Sequence, residues 1–246
     1  MNILVATDIS MVFGGLRAID QVSFYVRTGQ CFGIIGANGA GKTTLLNIVT
    51  GYQKPTTGCI EFNGEVVSGL PPYRLAHRGM GRTFQIVQPF VEMTVLENVV
   101  TGALFSRNGQ RRSLGQARAF CERALEIVGL ADKADLMAGG LTLGGKKKLE
   151  LARALATEPS LLLLDEVMGG LTRTEIEDII SVLKRINSSG TTIVMVEHLV
   201  HVITHLCDHV FVLDFGRELF QGKPEDVVAH PEVIHAYLGK PLVAEC

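Results

Sequence analysis

Residues Gly36 to Thr43 read GANGAGKT and match G-x-x-x-x-G-K-[ST] at every fixed position. The run before them, Cys31 to Ile35 (CFGII), is short and wholly apolar, as expected of a buried strand. The run after them, Thr43 to Thr50 (TTLLNIVT), carries its apolar residues at helical spacing. A strand, a glycine-rich turn and a helix in that order place main-chain N–H groups and the positive end of a helix dipole around one point, a receptacle for phosphate. Gly36, Gly39 and Gly41 supply the turn, with Asn38 and Ala40 between them. Lys42 reaches the β- and γ-phosphates, Thr43 offers a hard oxygen to Mg²⁺, and Thr44 adds a further phosphate contact.

Working outward, strand-like and helix-like runs alternate through most of the 246 residues. ILVATDI and AIDQVSFYV, turning at Gly14-Gly15, suggest an antiparallel edge before the nucleotide strand. KPTTG is a turn, CIEF a strand, and PPYRLAHRG a short proline-started helix ended by Gly79. From about Thr94 to Leu143 the pattern is mainly helical, an inserted subdomain with Ser106 to Gly115 (SRNGQRRSLG) as its loop. LELARALATE is an amphipathic helix, followed by strand SLLLLDE, helix RTEIEDIISVLKRINSSG, strand TTIVMVEH, a helix through Leu206, strand HVFVLDFG and a final helical pair. The expectation is one α/β unit over 1–246, with 1–93 and 146–246 as nucleotide-binding core and 94–145 as helical subdomain.

Lys and Arg total 23 against 25 acidic residues, which gives no field to make nucleic acid the main ligand. The five cysteines are widely spaced with no CxxC pair, the usage of a reducing compartment. The beginning of the chain lacks a secretion signal, and no uncharged apolar run approaches the ~18 residues of a membrane span.

Asp165 and Glu166 end the apolar run SLLLLDE, at the strand terminus where ligands bind in open α/β sheets. Two adjacent acids there can divide the work of phosphoryl transfer: Asp165 holds Mg²⁺ through water and Glu166 polarises the attacking water. His201, His205 and His209 recur every four residues near Cys207. Zinc there is the weaker reading, because His209 is expected in the next strand and no ligand spacing completes a site.

GANGAGKT, Gln85 in RTFQ, LTLGG before KKKLELARAL, LLLLDE and His198 in VEH follow in the order of ATP-binding cassette (ABC) ATPases. The resemblance covers nearly the whole chain. It implies a P-loop NTPase cassette with a mostly parallel central sheet, an antiparallel β subdomain and an inserted helical subdomain. It implies that Phe13 stacks on adenine, that Gln85 touches Mg²⁺ or the attacking water, and that His198 contacts the γ-phosphate. It also implies head-to-tail pairing with a second cassette, where Thr142 and Gly144 of one subunit meet the phosphate held by the other.

Two strings depart from the family pattern. LTLGG stands for LSGGQ, and Gly169-Gly170-Leu171-Thr172 stands for SALD. These departures suggest pairing with a different, better-matched ATPase subunit. FGGLRAID, GRTFQIVQPFVEMTVLENV, EHLVHVI and HPEVIHAYLG resemble the ATP-binding subunits of branched-chain amino-acid importers and their urea or amide relatives. That resemblance implies permease partners in the membrane, contacted through a groove around Pro89 to Val95, an indirect link to a solute-binding protein, and a peripheral cytoplasmic location. The competing expectations are a soluble cassette ATPase outside transport and a low-turnover regulatory subunit.

Overall fold

The computed structural model describes residues 1–104 and 113–238. Along the chain lie β1 (Asn2–Phe13), β2 (Leu16–Arg27), β3 (Cys31–Ile35), α1 (Lys42–Val49), β4 (Thr57–Phe62), β5 (Glu65–Val66), α2 (Pro72–His77), β6 (Met80–Arg82) and α3 (Val95–Ala103). Then come α4 (Leu114–Val128), α5 (Leu143–Leu155), β7 (Leu161–Asp165), α6 (Arg173–Ser188), β8 (Thr192–Val196), α7 (Val200–Leu206), β9 (His209–Asp214), β10 (Arg217–Gly222), α8 (Pro224–Ala229) and α9 (Pro231–Val233). Two compact units result: Met1–Pro72 with the chain from Thr192 onward, and Tyr73–Thr191.

In the first unit, the β1–β2 hairpin and β4–β5 form an antiparallel sheet in the order β2-β1-β4-β5. A second set runs β10-β9-β3-β8, with β3 parallel to both neighbours and β10 antiparallel on the edge. All five residues of β3 and of β8 are buried, which is why these strands are continuously apolar rather than alternating. Phe24 of β2 stacks on Phe32 of β3 and tilts against Phe211 of β9, each at 5.5 Å between ring centres. These aromatic contacts knit the two sheets of this unit together.

In the second unit, β6 lies parallel to β7, pairing Met80 with Leu161 and Arg82 with Leu163. Helices α3, α4 and α5 pack on one another beside them. Capping boxes begin three helices: Thr94 with Glu97 on α3, Ser113 with Gln116 on α4, and Thr172 with Glu175 on α6. In α6 the buried positions Ile179, Val182, Leu183 and Ile186 follow the i, i+3, i+4, i+7 stripe of a one-sided helix.

The expected strands and helices occur, and the differences are local. The loop expected over Ser106 to Gly115 falls largely outside the described residues; Ser113 caps α4, and Leu114 and Gly115 already belong to it. Helix α5 begins at Leu143, so the last three residues of LTLGG are helical. His209 opens β9, separated from His201 and His205 of α7. Among the described residues no helix is long and apolar enough to cross a membrane.

Candidate functional site

The phosphate loop leaves β3 at Gly36. Its φ is +155°, and a Cβ there would lie 2.1 Å from the carbonyl oxygen of Leu213 in β9. Gly41, at φ +106°, is the N-cap of α1, and its Cβ would lie 2.8 Å from the Ala18 carbonyl oxygen. The loop can therefore be folded against both strands only by residues with no side chain there. Lys42, 6 % exposed, turns its ammonium group inward and donates to the carbonyl oxygens of Gly36 at 2.7 Å and Ala37 at 3.0 Å. Asn38, Gly39 and Thr43 are exposed, Thr44 is half-buried and Ala40 is buried. The turn after β9 is hydrogen-bonded to this loop: Gly216 N donates to Ala40 O at 2.9 Å, and Asp20 N donates to Gly216 O at 2.8 Å. Asp20 carries Arg17 and Arg217, the former at 2.6 Å, and these partners hold its carboxyl below the usual range.

Elsewhere in this unit, Phe13 ends β1 with 42 % of its surface exposed. His198 follows β8 half exposed, its Nδ1 3.9 Å from a carboxylate oxygen of buried Glu197.

In the second unit, β7 delivers Asp165 at its end, 5 % exposed. Arg82 Nη2 donates to Asp165 Oδ2 at 2.9 Å. Glu166 leaves the strand at φ +47°, a left-handed conformation rare for a side chain with a Cβ. That turn brings its carboxylate to Gln85, whose Nε2 donates to Oε2 at 2.6 Å.

Helix α5 holds the segment around Gln85 by its main chain. Lys147, 2 % exposed, donates to Gln85 O at 3.0 Å; Phe84 N donates to Glu150 Oε1 at 2.7 Å; Arg153 Nη1 donates to Gln88 O at 3.1 Å. Positions 147, 150 and 153 are three residues apart, so one face of the helix supplies all three. Burial pushes the Glu150 carboxyl above its ordinary value, against the pull of the Phe84 N–H and the charges of Lys147 and Arg153. Burial likewise lowers Arg153. A cavity of about 510 Å³ lies here, lined by residues including Phe84, Gln85, Ile86, Glu150, Arg153 and Asp165.

Thr142 caps α5, its Oγ1 accepting from Gly145 N at 3.2 Å. Gly144 is buried against α6, where a Cβ would come 2.8 Å from Glu175 Oε1. The two departures from the family pattern meet: a Cβ on Gly170, at φ +78°, would lie 3.1 Å from Leu143 Cδ2. The bulk added in LTLGG is thus met by a missing side chain after β7.

Residues 19–169 match the family profile described as ABC transporter. The chain belongs to the ABC transporter family. This cassette is therefore an ATPase of the P-loop fold. Residues 217–242 also match a profile described as branched-chain amino acid ATP-binding cassette transporter. The high-affinity branched-chain amino acid transport ATP-binding protein BraF of Pseudomonas aeruginosa is 37% identical over 250 residues, covering 97% of this chain and 98% of its own. The ADP conformation of MJ1267, an ATP-binding cassette of an ABC transporter, superposes with a TM-score of 0.89 at 31% identity, over 98% of this chain and all of that one. A dimeric post-hydrolysis structure of the cassette MJ0796, bound to ADP and Pi, gives a TM-score of 0.78 at 25% identity, over 90% of this chain and 98% of that one.

Sequence reasoning singled out Gln85, Asp165 and Glu166 but not the groups that hold them: Arg82, Lys147, Glu150 and Arg153. The signal for the last three lay in KKKLELAR, a polar stripe at three-residue intervals on a helix that should have been wholly apolar where it packs. Arg82 left no pattern of its own.

Proposed function

We propose that this cassette powers an importer of branched-chain amino acids, or of urea or amides, through permease subunits in the membrane. It would act as one of two cassettes paired head to tail at the cytoplasmic face, with a solute-binding protein as the indirect source of cargo. The observation that carries this reading is the match to BraF over nearly the full length of both chains.

In this reading Phe13 stacks on adenine, the amides of Gly36 to Gly41 surround the phosphates, and Lys42 and Thr44 contact them directly. The oxygen donors Thr43, Gln85 and Asp165 form an all-hard set that suits Mg²⁺, and none of them is a soft ligand favouring another metal. Bound magnesium would neutralise charge developing on the β- and γ-phosphates. Glu166 accepts a proton from the attacking water, with Gln85 already hydrogen-bonded to that carboxylate to orient it. His198 donates to the γ-phosphate. From the opposing cassette, Thr142 and Gly144 close over the same phosphate.

A low-turnover partner role is the second reading, favoured by Leu143 standing where the family's signature has glycine, with Gly170 facing it. Membrane vesicles containing this cassette, a permease pair and a solute-binding protein test both. Glu166→Gln should keep ATP binding and lose about 10²-fold or more in turnover, with uptake lost in parallel. Undiminished turnover in that variant removes Glu166 as the base. Uptake that ignores the cassette altogether sinks the importer reading.

A further inference from the structure

Arg82 is a basic side chain joined directly to an acid of the proposed catalytic pair. It sits at the end of β6, opposite Leu163 of β7, three residues before Gln85. The Arg82 and Asp165 side chains are only 9 % and 8 % exposed. The guanidinium also lies over the Phe84 ring, 5.2 Å from its centre. One strand and the turn after it therefore hold both acids, Arg82 on Asp165 and Gln85 on Glu166.

A buried ion pair is a poor way to gain stability, because removing two charges from water costs about what their attraction returns. Placed against an acid that faces a divalent cation, the same pair has a functional effect. Its positive charge weakens the pull of the carboxylate on a second cation. It also offsets the repulsion between that carboxylate and an anionic phosphate arriving without metal.

We propose that Arg82 is a positioning residue and charge latch for Asp165, orienting its carboxylate through Oδ2, restraining its affinity for magnesium and offsetting its repulsion of a metal-free nucleotide. This rests on the reading of Asp165 as the magnesium-facing acid. Arg82→Gln separates charge from geometry, since the amide can still donate to Oδ2 but carries no charge. Removing the charge strengthens binding of the magnesium–nucleotide complex and weakens binding of the metal-free nucleotide. Both changes move the ratio of the two affinities the same way.

The experiment measures the dissociation constant of a fluorescent ADP analogue for the full chain, once in EDTA and once in saturating magnesium chloride. The ratio of the two constants is the magnesium advantage. Arg82→Gln should raise it about fivefold or more, while Arg82→Lys, which keeps the charge, stays within about twofold of the unaltered chain. Asp165→Asn should bring the ratio toward one. If Arg82→Gln does not fold, Arg82→Met removes the charge on an unbranched stem and should shift the ratio in the same direction. A ratio within about twofold of the unaltered chain in whichever neutral variant folds overturns the latch, provided Asp165→Asn has lowered it. A ratio unaffected by Asp165→Asn overturns the metal-ligand reading itself, and the latch with it. A purely structural ion pair would change melting temperature and leave the magnesium advantage where it was.

Discussion

Around the phosphate loop the close contacts are made by main chain: Gly36 against Leu213 O, Gly41 against Ala18 O, and Lys42 folded onto the carbonyls of Gly36 and Ala37. Around the end of β7 they are made by side chains, with Arg82 on Asp165 and Gln85 on Glu166. A main-chain receptacle is stiff, and its amides are not titratable, so in the proposed function it holds phosphate with donors that no change of pH removes. A side-chain network is adjustable, which suits the metal and water proposed for it. The two regions should therefore fail differently when altered.

The largest loss is expected from the main-chain side. Gly36→Ala adds a methyl group at a φ that disfavours it, 2.1 Å from a backbone oxygen, so β9 or the loop must move. Nucleotide affinity should fall about a hundredfold and unfolding free energy by roughly 3 kcal/mol, read by nucleotide titration and denaturant melts. A variant with normal affinity would show that the loop is as pliable as the acidic end.

Next comes Lys42→Ala, which removes a charge-assisted contact to phosphate and leaves the fold of β3 and α1 intact. Affinity should fall about tenfold to a hundredfold, with melting temperature nearly unchanged. Equal damage to stability would mean that the inward hydrogen bonds of Lys42 matter to the fold as much as to the ligand.

The smallest effect belongs to the side-chain network and depends on pH. Glu150 binds its proton more tightly in the folded chain than at the ordinary value of 4.5, because burial disfavours its charge. The folded state then holds more protons than the unfolded one in the window just above that value, and stability falls as pH rises through it. Glu150→Gln removes this contribution. Its melting temperature should decline less steeply than that of the unaltered chain from about pH 4.5 upward. Parallel curves would mean that Phe84 N–H, Lys147 and Arg153 already cancel the cost of burial.

This contrast also explains what could be read in the residues alone. The loop is legible in GANGAGKT because its function depends on where glycine must stand, and that requirement is fixed by spacing. The fold around it is legible for the same reason: CFGII, LLLLD and TIVMV are buried on both faces and cannot alternate. Arg82 is different. Nothing in MGR distinguishes an arginine turned toward Asp165 from one in water, since the contact exists only once β6 and β7 pair in their particular register. Lys147, Glu150 and Arg153 lie between, visible as a periodic stripe but silent about the main chain they hold. The meeting of Leu143 and Gly170 was likewise unreadable, because two substitutions 27 positions apart become one steric event only in three dimensions.

The bonds from Asp20 to Gly216 and from Gly216 to Ala40 tie β2, the second strand of the hairpin that ends β1 at Phe13, to the phosphate loop. A change at Gly216 would therefore be felt on both sides at once, by the second strand of that hairpin and by the turn that caps α1.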